Sequence, residues 1–372
     1  MSIDLDFDLL PALPRPAGKG VGIGVVGAGF IVRDIQLVAY RNAGYNVVAI
    51  ASDNPESARQ VAALRSVPKA YATCSELLRD PAVEMVDIAI PPDQQLAVVR
   101  EAVSEREHIK GILCQKPLAV TFADAREIVR LCHEAGIKLG VNQNMRYDQS
   151  IRALKTLLQR GELGEPVLGT IEMRAVPHWQ TWLRNYGRLT LLNMSIHHLD
   201  CFRFLFGTPD TVFVSARQDP RTGFPHRDGI CLYILEYASG LRAAAWDDVW
   251  AGPGPVGAVK DHYIRWRVEG TEGMAQGTIG WPAYPNRQPS TIDFTSKRRP
   301  GYLFAPRWSE VWFPDAFAGT MGQLLESVAR DTEPEIGGRD NLETMALVEA
   351  AYRSLEEHRL VEIAEILEGR RA

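Results

Sequence analysis

The chain has 372 residues, of which 46% are hydrophobic and 23% are charged, a composition typical of globular proteins, and its length favours two domains. No apolar run reaches the roughly 18 residues that a membrane span needs, which argues against a membrane protein. The formal net charge of -5 argues against a nucleic-acid-binding surface, which is normally basic.

The first twenty residues are acidic and then proline-rich, which is the reverse of a secretory signal peptide. We therefore expect an N-terminal extension at residues 1–20. The five cysteines are scattered and form no CxxC pair, so they predict neither a disulfide framework nor a zinc ribbon. Together these features predict a cytoplasmic protein.

Residues 21–144 alternate between short apolar strands and helices. The strands are predicted in the runs VGIGVV, GYNVVAIASD, MVDIAIPP, GILCQKPLAV and IKLGVNQN, and the sequence Asn54-Pro55-Glu56 predicts the start of a helix. Such alternation predicts an α/β domain with a doubly wound parallel sheet.

Residues 145–372 show a different pattern, with longer strands rich in aromatic residues and joined by short turns. This pattern predicts an α+β domain with a large, mostly antiparallel sheet. The chain ends in two helical stretches, DAFAGTMGQLLESVAR and NLETMALVEAAYRSLEEH, which we expect to pack back on the first domain.

A glycine turn follows the first strand. The run from Gly27 to Val32 matches GxGxxG at Gly27 and Gly29 but has Val32 at the third glycine position. The place of this turn between a strand and a helix predicts a Rossmann dinucleotide site that also includes Phe30 and Ile31. The alternative is an ordinary strand-helix turn.

The end of the second predicted strand carries Ser52 and Asp53, with no arginine beside them. A carboxylate at this corner accepts hydrogen bonds from the ribose hydroxyls and repels a 2'-phosphate. We therefore expect NAD as the cofactor, although Ser52 would tolerate NADP. The alternative for Asp53 is a helix cap or a turn residue.

At the family level, the chain resembles the glucose-fructose oxidoreductase/inositol dehydrogenase/MocA family. The matching stretches are GVVGAGFI, VDIAIPP, CQKPLAV, GVNQNMRYDQSIRALKTLLQRGELGEPV, LLNMSIHHLD and LVEAAYRSLEE. The resemblance implies a Rossmann domain at 21–144 and a substrate and oligomerisation domain at 145–372. It further implies a homodimer or homotetramer formed through the open face of the second sheet.

The resemblance assigns catalysis to Lys116 and His197. In this family a Glu-Lys-Pro tripeptide places the lysine between nicotinamide and substrate, and Gln115 replaces the glutamate here. The ammonium of Lys116 would polarise the hydroxyl, and His197 would accept its proton. The alternatives are a surface lysine and a core histidine with satisfied hydrogen bonds.

The family pattern Asp-x-x-x-His-x-x-Asp is represented here by Asn193, His197 and Asp200, which a regular helix would place on one face. Asn193, which can hydrogen-bond a sugar, and the neighbouring His198 are candidates for substrate contacts, with a core or surface histidine as the alternative for His198. Adjacent helical side chains diverge by about 100 degrees, so we expect no metal site among these residues and Cys201.

Further residues are expected near the ligands. Asn144 and Arg146 follow the last Rossmann strand, where open α/β sheets bind ligands, although interdomain bonding is the alternative. His178 and Tyr186 lie in an aromatic loop suited to sugars, or else to a lid or subunit contact. Where the family often has Pro-Asn-x-x-His, the run PPDQQLA leaves Pro92 and Gln95 to line the nicotinamide.

These residues predict an NAD-dependent dehydrogenase that oxidises a small sugar or polyol. The resemblance favours an aldose, such as the pentose apiose or a hexose, oxidised at the anomeric hydroxyl to its lactone. The alternatives are an NADP-dependent sugar or keto-sugar reductase, an NAD-using glycosidase, and a non-catalytic sensor of sugar or dinucleotide on the same fold.

Overall fold

The computed structural model describes residues 9–14, 20–175, 181–249, 262–281 and 284–369. The N-terminal part contains a sheet of six parallel strands in the order β3-β2-β1-β4-β5-β6. The strands are β1 (Ile23–Val26), β2 (Val47–Ala51), β3 (Lys69–Tyr71), β4 (Met85–Ile88), β5 (Gly111–Cys114) and β6 (Lys138–Val141). Strands β1, β4 and β5 are completely buried, which explains why they read as continuous apolar runs in the sequence. Strand β3, at the edge of the sheet, is mostly exposed and was not predicted.

Five helices connect these strands. They are α1 (Leu37–Ala43), which continues a π-helical turn at Ile31–Gln36, α2 (Pro55–Arg65), α3 (Cys74–Leu78), α4 (Pro92–Ser104) and α5 (Phe122–Ala135). As the sequence predicts, Asn54 caps α2, because its side chain accepts hydrogen bonds from the amides of Glu56 and Ser57. The predicted doubly wound α/β architecture is confirmed.

The second sheet has eight strands in the order β13-β12-β11-β7-β10-β9-β8-β14. Its strands are β7 (Pro166–Arg174), β8 (Thr211–Arg217), β9 (Ile230–Glu236), β10 (Arg242–Asp248), β11 (Tyr263–Gly270), β12 (Gly273–Thr278), β13 (Thr291–Ser296) and β14 (Val361–Glu362). Strands β7 and β10 pair in parallel and the other neighbours pair antiparallel, so the predicted mostly antiparallel sheet is confirmed.

The remaining helices pack around this second sheet and against the first. They are a 3₁₀ turn at Asn144–Tyr147, α6 (Gln149–Gln159), a 3₁₀ turn at Thr181–Asn185, a π-helical turn at Leu191–Ser195, α7 (Ile196–Phe206), a turn at Trp312–Ala316, α8 (Phe317–Arg330), α9 (Gly338–Glu357) and α10 (Ile363–Leu367). Helices α6, α7 and α9 contact the sheet, while α8 contacts β5 and β6 and α9 contacts α5. Among the described residues, no helix is long and apolar enough to cross a membrane.

The second sheet leaves its other face open. In β8 and β9 buried and exposed residues alternate, and Phe213, Leu232 and Ile234 are 40%, 52% and 46% exposed. Phe213 pairs with Ile234 across the two strands, so these side chains form one apolar patch.

A buried ion pair joins the segment after β6 to α7. The guanidinium of Arg146 donates from its Nε to Asp200 Oδ2 at 2.6 Å and from one terminal nitrogen to Asp200 Oδ1 at 2.7 Å. Both side chains are at least 95% buried. Asp340 at the start of α9 accepts a further bond from Arg146 at 2.6 Å. The pair therefore ties three separate elements together at the junction between the sheets.

Replacing Asp200 with asparagine should destabilise the fold strongly, because it leaves the buried charge of Arg146 only partly compensated. We expect the free energy of unfolding, measured by urea denaturation, to fall by about 3–5 kcal/mol. Glu134→Gln is the matched control, since it breaks an exposed ion pair with Arg130 and should cost under about 1 kcal/mol. Equal effects of the two substitutions would contradict a stabilising role for the buried pair.

Candidate active site

The glycine turn has the geometry of a dinucleotide site. Gly27 has a φ of +118°, and a Cβ there would lie 2.4 Å from the carbonyl oxygen of Ala89, so only glycine fits. No atom lies within 4 Å of a Cβ built on Gly29, which is exposed. The backbone at Gly29 is therefore open to close approach by a pyrophosphate, and these residues fit the cofactor that the motif predicts. Val32, in the third glycine position, is fully buried instead.

Ser52 and Asp53 lie immediately after β2, where the ribose of a dinucleotide is read. Asp53 is exposed, and its carboxylate accepts a hydrogen bond from the Ser52 hydroxyl at 3.0 Å. The helix-cap alternative for Asp53 is wrong, because Asn54 caps α2. The exposed carboxylate fits a pair of ribose hydroxyls and disfavours a phosphate in the same place.

Lys116 lies just beyond the end of β5 and reaches across the junction between the two sheets. Its Nζ donates to the backbone carbonyl of Asn193 at 2.6 Å and lies 3.3 Å from the side-chain Oδ1 of the same residue. Burial lowers the pKa of the Lys116 ammonium to about 7. The lysine is therefore poised to change charge close to neutral pH.

His197, in the first turn of α7, is only 5% exposed. Its ring meets the indole of Trp312 edge to face, with 5.5 Å between the ring centroids. Burial, followed by the positive charge of Lys116 and that of His198, lowers the pKa of His197 well below 6.5. Lys116 donates to the carbonyl of Asn193, one helical turn before His197, so the two side chains lie in the same part of the molecule. Nδ1 of His197 has no hydrogen-bond partner in the described part of the chain.

Asn193 lies in a π-helical turn rather than in the regular helix that the sequence predicts. π-helical turns are rare and often occur at functional sites. The buried carboxylate of Asp228 fixes the start of this turn, because it accepts hydrogen bonds from the amides of Leu189 and Leu191 at 2.9 and 2.7 Å. Asp228 stands alone before β9 in the sequence, with no motif that could have identified it.

A chain of aromatic contacts runs from the glycine turn to His197. Phe30 meets Tyr284 at 5.7 Å, Tyr284 meets Phe313 at 6.1 Å, and Phe313 meets Trp312 at 4.6 Å between ring centroids. Trp312 then contacts His197. Neither Phe313 nor Trp312 was predicted as a site residue, since the sequence shows only an aromatic pair directly before a helix.

Arg146 and Asn144, which follow β6, are buried and bonded to other residues of the protein. The predicted substrate contact of Arg146 is contradicted, because its Nε and both terminal nitrogens are engaged by Asp200, Asp340 and the carbonyl of Glu335. Asn144 is buried, and its Oδ1 accepts a hydrogen bond from the Trp312 indole at 2.8 Å. Asn144 therefore holds the indole that flanks His197.

The structure places His198 away from its predicted substrate contact. Its imidazole is completely buried, with Nδ1 2.9 Å from Oδ1 of Asp247. The other carboxylate oxygen of Asp247 accepts a hydrogen bond from the Ser195 hydroxyl. Within the described ranges, no group of three or more His, Cys, Asp or Glu residues could hold a metal ion.

Tyr186, one of the two candidates in the aromatic loop, lies at the contact between the two parts of the chain. The Tyr186 hydroxyl donates to Asp93 in the first turn of α4 at 2.5 Å, so Tyr186 bridges the C-terminal part of the chain to the Rossmann part. His178 lies outside the described residues. Pro92 is buried at the first position of α4.

The predicted nicotinamide contact of Gln95 is contradicted, because this side chain is completely buried. Its amide is hydrogen-bonded to the backbone around Lys116. The side-chain Nε2 of Gln115 is also buried, and it has no hydrogen-bond partner among the residues that the structure describes.

Family models match most of the chain. Residues 21–143 match the Gfo/Idh/MocA model described as an oxidoreductase family with an NAD-binding Rossmann fold, and residues 151–276 match the Gfo/Idh/MocA C-terminal domain. The first range contains the whole parallel sheet, and the second contains strands β7 to β11 of the mixed sheet.

Individual relatives agree with this assignment. D-apiose dehydrogenase of Paraburkholderia graminis is 27% identical over 91% of this chain and 88% of that protein. The 1,5-anhydro-D-fructose reductase of Ensifer adhaerens is 32% identical over 68% of this chain and 74% of that protein. An oxidoreductase from Agrobacterium radiobacter, solved with NAD+, L-tartaric acid and magnesium, shares the fold with a TM-score of 0.78 and 24% identity, covering 93% of this chain and 99% of that one.

The motifs, the glycine turn that fits a dinucleotide, both sheets and the matched models lead to the same assignment. The chain belongs to the glucose-fructose oxidoreductase/inositol dehydrogenase/MocA family of NAD-binding oxidoreductases.

Proposed function

We propose that this enzyme is an NAD-dependent dehydrogenase that oxidises an aldose at its anomeric hydroxyl to the lactone. The observation that supports the proposal is the hydrogen bond from Lys116 to the carbonyl of Asn193, one helical turn before His197. The names of two relatives, the D-apiose dehydrogenases, support a sugar substrate, and apiose is the first candidate. We further propose that the enzyme acts in the cytoplasm.

The glycine turn and Asp53 would hold the cofactor at one end of the cleft. When bound, NAD supplies a nicotinamide ring that accepts a hydride from the carbon of the alcohol. The open backbone at Gly29 fits the pyrophosphate, and the carboxylate of Asp53 accepts hydrogen bonds from the ribose hydroxyls. The chain's remaining task is to remove the hydroxyl proton from the same substrate carbon.

The pKa values of Lys116 and His197 support roles different from those expected from the sequence, where His197 accepts the proton. A general base works best when its pKa is close to the working pH. Burial lowers the pKa of Lys116 to about 7, whereas the pKa of His197 is lowered well below 6.5, which makes the imidazole a weak proton acceptor. We therefore assign proton removal to the neutral amine of Lys116 and orientation of the hydroxyl to the neutral imidazole of His197.

A reductase acting in the opposite direction is the second candidate, favoured by the name of the Ensifer adhaerens relative. Pentoses, hexoses and inositols assayed with NAD or NADP, and keto-sugars assayed with NADH or NADPH, would separate the two directions. Release of a reducing sugar from a glycoside without net formation of reduced cofactor would instead support the glycosidase alternative. Binding of sugar without turnover would support a sensor.

Replacing Lys116 with alanine should lower kcat about 10³-fold while NAD still binds, because the proton acceptor is lost but the glycine turn is unchanged. Lys110→Ala is the matched control, since Lys110 is an exposed lysine just before β5. Steady-state kinetics and a fluorescence titration with NAD provide the two readouts. A Lys116→Ala enzyme with the wild-type kcat would exclude the proposed role.

The pH dependence of kcat/KM should identify the active form of Lys116. If the neutral amine accepts the proton, kcat/KM for oxidation should fall as the pH decreases through about 7 and level off above it. If the ammonium instead acts as a cation and His197 is the base, activity should be lost as the pH rises through the same value. Whether activity is lost below or above a pH of about 7 therefore decides whether Lys116 or His197 accepts the proton.

Asp53→Ala should relax the preference for NAD over NADP, because it removes the carboxylate that repels a 2'-phosphate. The ratio of kcat/KM for the two cofactors is the measurement. Glu56→Ala serves as the control, since Glu56 is an exposed carboxylate in the first turn of α2. An unchanged ratio in Asp53→Ala would show that Ser52 or another residue determines the preference for NAD.

We also propose that the apolar patch of Phe213, Leu232 and Ile234 pairs subunits into a homodimer or homotetramer. Leu232→Lys combined with Ile234→Lys should reduce the mass measured by light scattering, because charges would be buried without partners. Leu64→Lys is the control, since Leu64 is 57% exposed on α2. A wild-type protein that is monomeric at micromolar concentration would contradict this proposal.

A further inference from the structure

Gln95 has no role in the proposed chemistry, yet its side chain is completely buried. It lies in the first turns of α4, one residue after the exposed Gln94. A buried carboxamide is stable only when its donor and acceptor atoms are paired, so the partners of Gln95 indicate what the residue does.

The partners of Gln95 all belong to the backbone that carries Lys116. Its Nε2 lies within hydrogen-bond distance of the carbonyls of Gln115, Pro117 and Leu118, at 3.1, 2.9 and 3.2 Å. Its Oε1 accepts from the amide of Gln115 at 2.9 Å. Because an amide nitrogen has only two hydrogens, the three carbonyls share them, and one side chain holds the backbone on both sides of Lys116.

This segment needs a partner from outside the sheet. Strand β5 ends at Cys114, and the amide of Gln115 shares its one hydrogen between Gln95 and the carbonyl of Ile88 on β4, which lies at 3.0 Å. The carbonyls of Gln115, Pro117 and Leu118 follow the end of this strand and point to Gln95 instead of a neighbouring strand. A buried carbonyl that loses its partner costs about 1–3 kcal/mol, so the backbone would shift if Gln95 were removed.

The position of this backbone determines how deeply the amine of Lys116 is buried. The Nζ reaches the carbonyl of Asn193 at 2.6 Å from a fixed starting point after β5. A shift of about 1 Å at a catalytic group can cost about 100-fold in rate. A displaced backbone would also let water reach the ammonium, which favours its charged form.

We propose that Gln95 is a positioning residue whose amide fixes the Lys116 loop and thereby keeps the lysine amine desolvated in the active site. The inference rests on the proposed role of Lys116 as the proton acceptor. The carboxamide suits this task because it offers a donor and an acceptor at once without adding a charge next to the lysine.

The test compares Gln95→Met, which keeps the length of the side chain but loses its donors and acceptor, with the control Gln94→Met. We expect Gln95→Met to lower kcat about 100-fold and to move the acid limb of kcat/KM from about 7 towards higher pH. The affinity for NAD, measured by fluorescence titration, should change less than about threefold. Gln94→Met should match the wild type in all three measurements.

Gln95→His keeps one donor and one acceptor. Compared with Gln95→Met, it should recover part of kcat, and its kcat/KM should fall at a pH closer to that of the wild type. The rate at which a lysine-acylating reagent modifies Lys116, mapped by mass spectrometry across pH, gives a readout that does not require turnover. In Gln95→Met the modification should reach its half-maximal rate at higher pH than in the wild type.

A Gln95→Met enzyme whose acid limb and acylation profile match the wild type would overturn the inference, even if kcat fell, since loss of folded protein lowers kcat without moving either profile. If Lys116→Ala abolishes turnover while Gln95→Met behaves like the wild type, only this inference fails. If Lys116→Ala remains fully active, the proposed function fails with it.

Discussion

A buried amine that has no anionic partner among the described residues is the constraint on which the rest of the site depends. Lys116 is held by a neutral carbonyl, that of Asn193, at 2.6 Å. The side chain of Asn193, 3.3 Å from the amine, is a neutral amide, which cannot stabilise an ammonium as a carboxylate would. Burial then lowers the pKa of the lysine to about 7, which prepares it to exchange a proton near neutral pH.

The surrounding scaffold keeps that amine in place from three sides. The ion pair of Arg146 and Asp200 fixes α7, which carries His197, against the segment after β6. Asp228 fixes the turn that contains Asn193. The amide of Gln95 holds the backbone around Lys116 itself. Charges and amides that are buried for stability therefore determine the geometry of the proposed catalytic pair.

The sequence predicted the features that depend on local patterns. The strand and helix alternation, the cap at Asn54 and the strand, glycine turn and helix around Gly27 all follow from neighbouring residues, and the structure agrees with them. The predictions for Arg146 and Gln95 failed because their partners are distant in sequence, Asp340 in one case and the loop after β5 in the other. Residue type and spacing do not reveal such partners, and they likewise gave no sign that Trp312 lies beside His197.

The most direct test of this account is the titration of Lys116 itself. Enzyme labelled with ¹³C at the lysine Cε atoms would be followed by NMR across pH, with the Lys116 signal assigned by its loss in Lys116→Arg. We expect this signal to titrate with a midpoint at a pH of about 7, far below the midpoints of the other lysines. A midpoint near the ordinary lysine value of about 10.4 would show that the amine stays charged at neutral pH and would contradict its role as the proton acceptor.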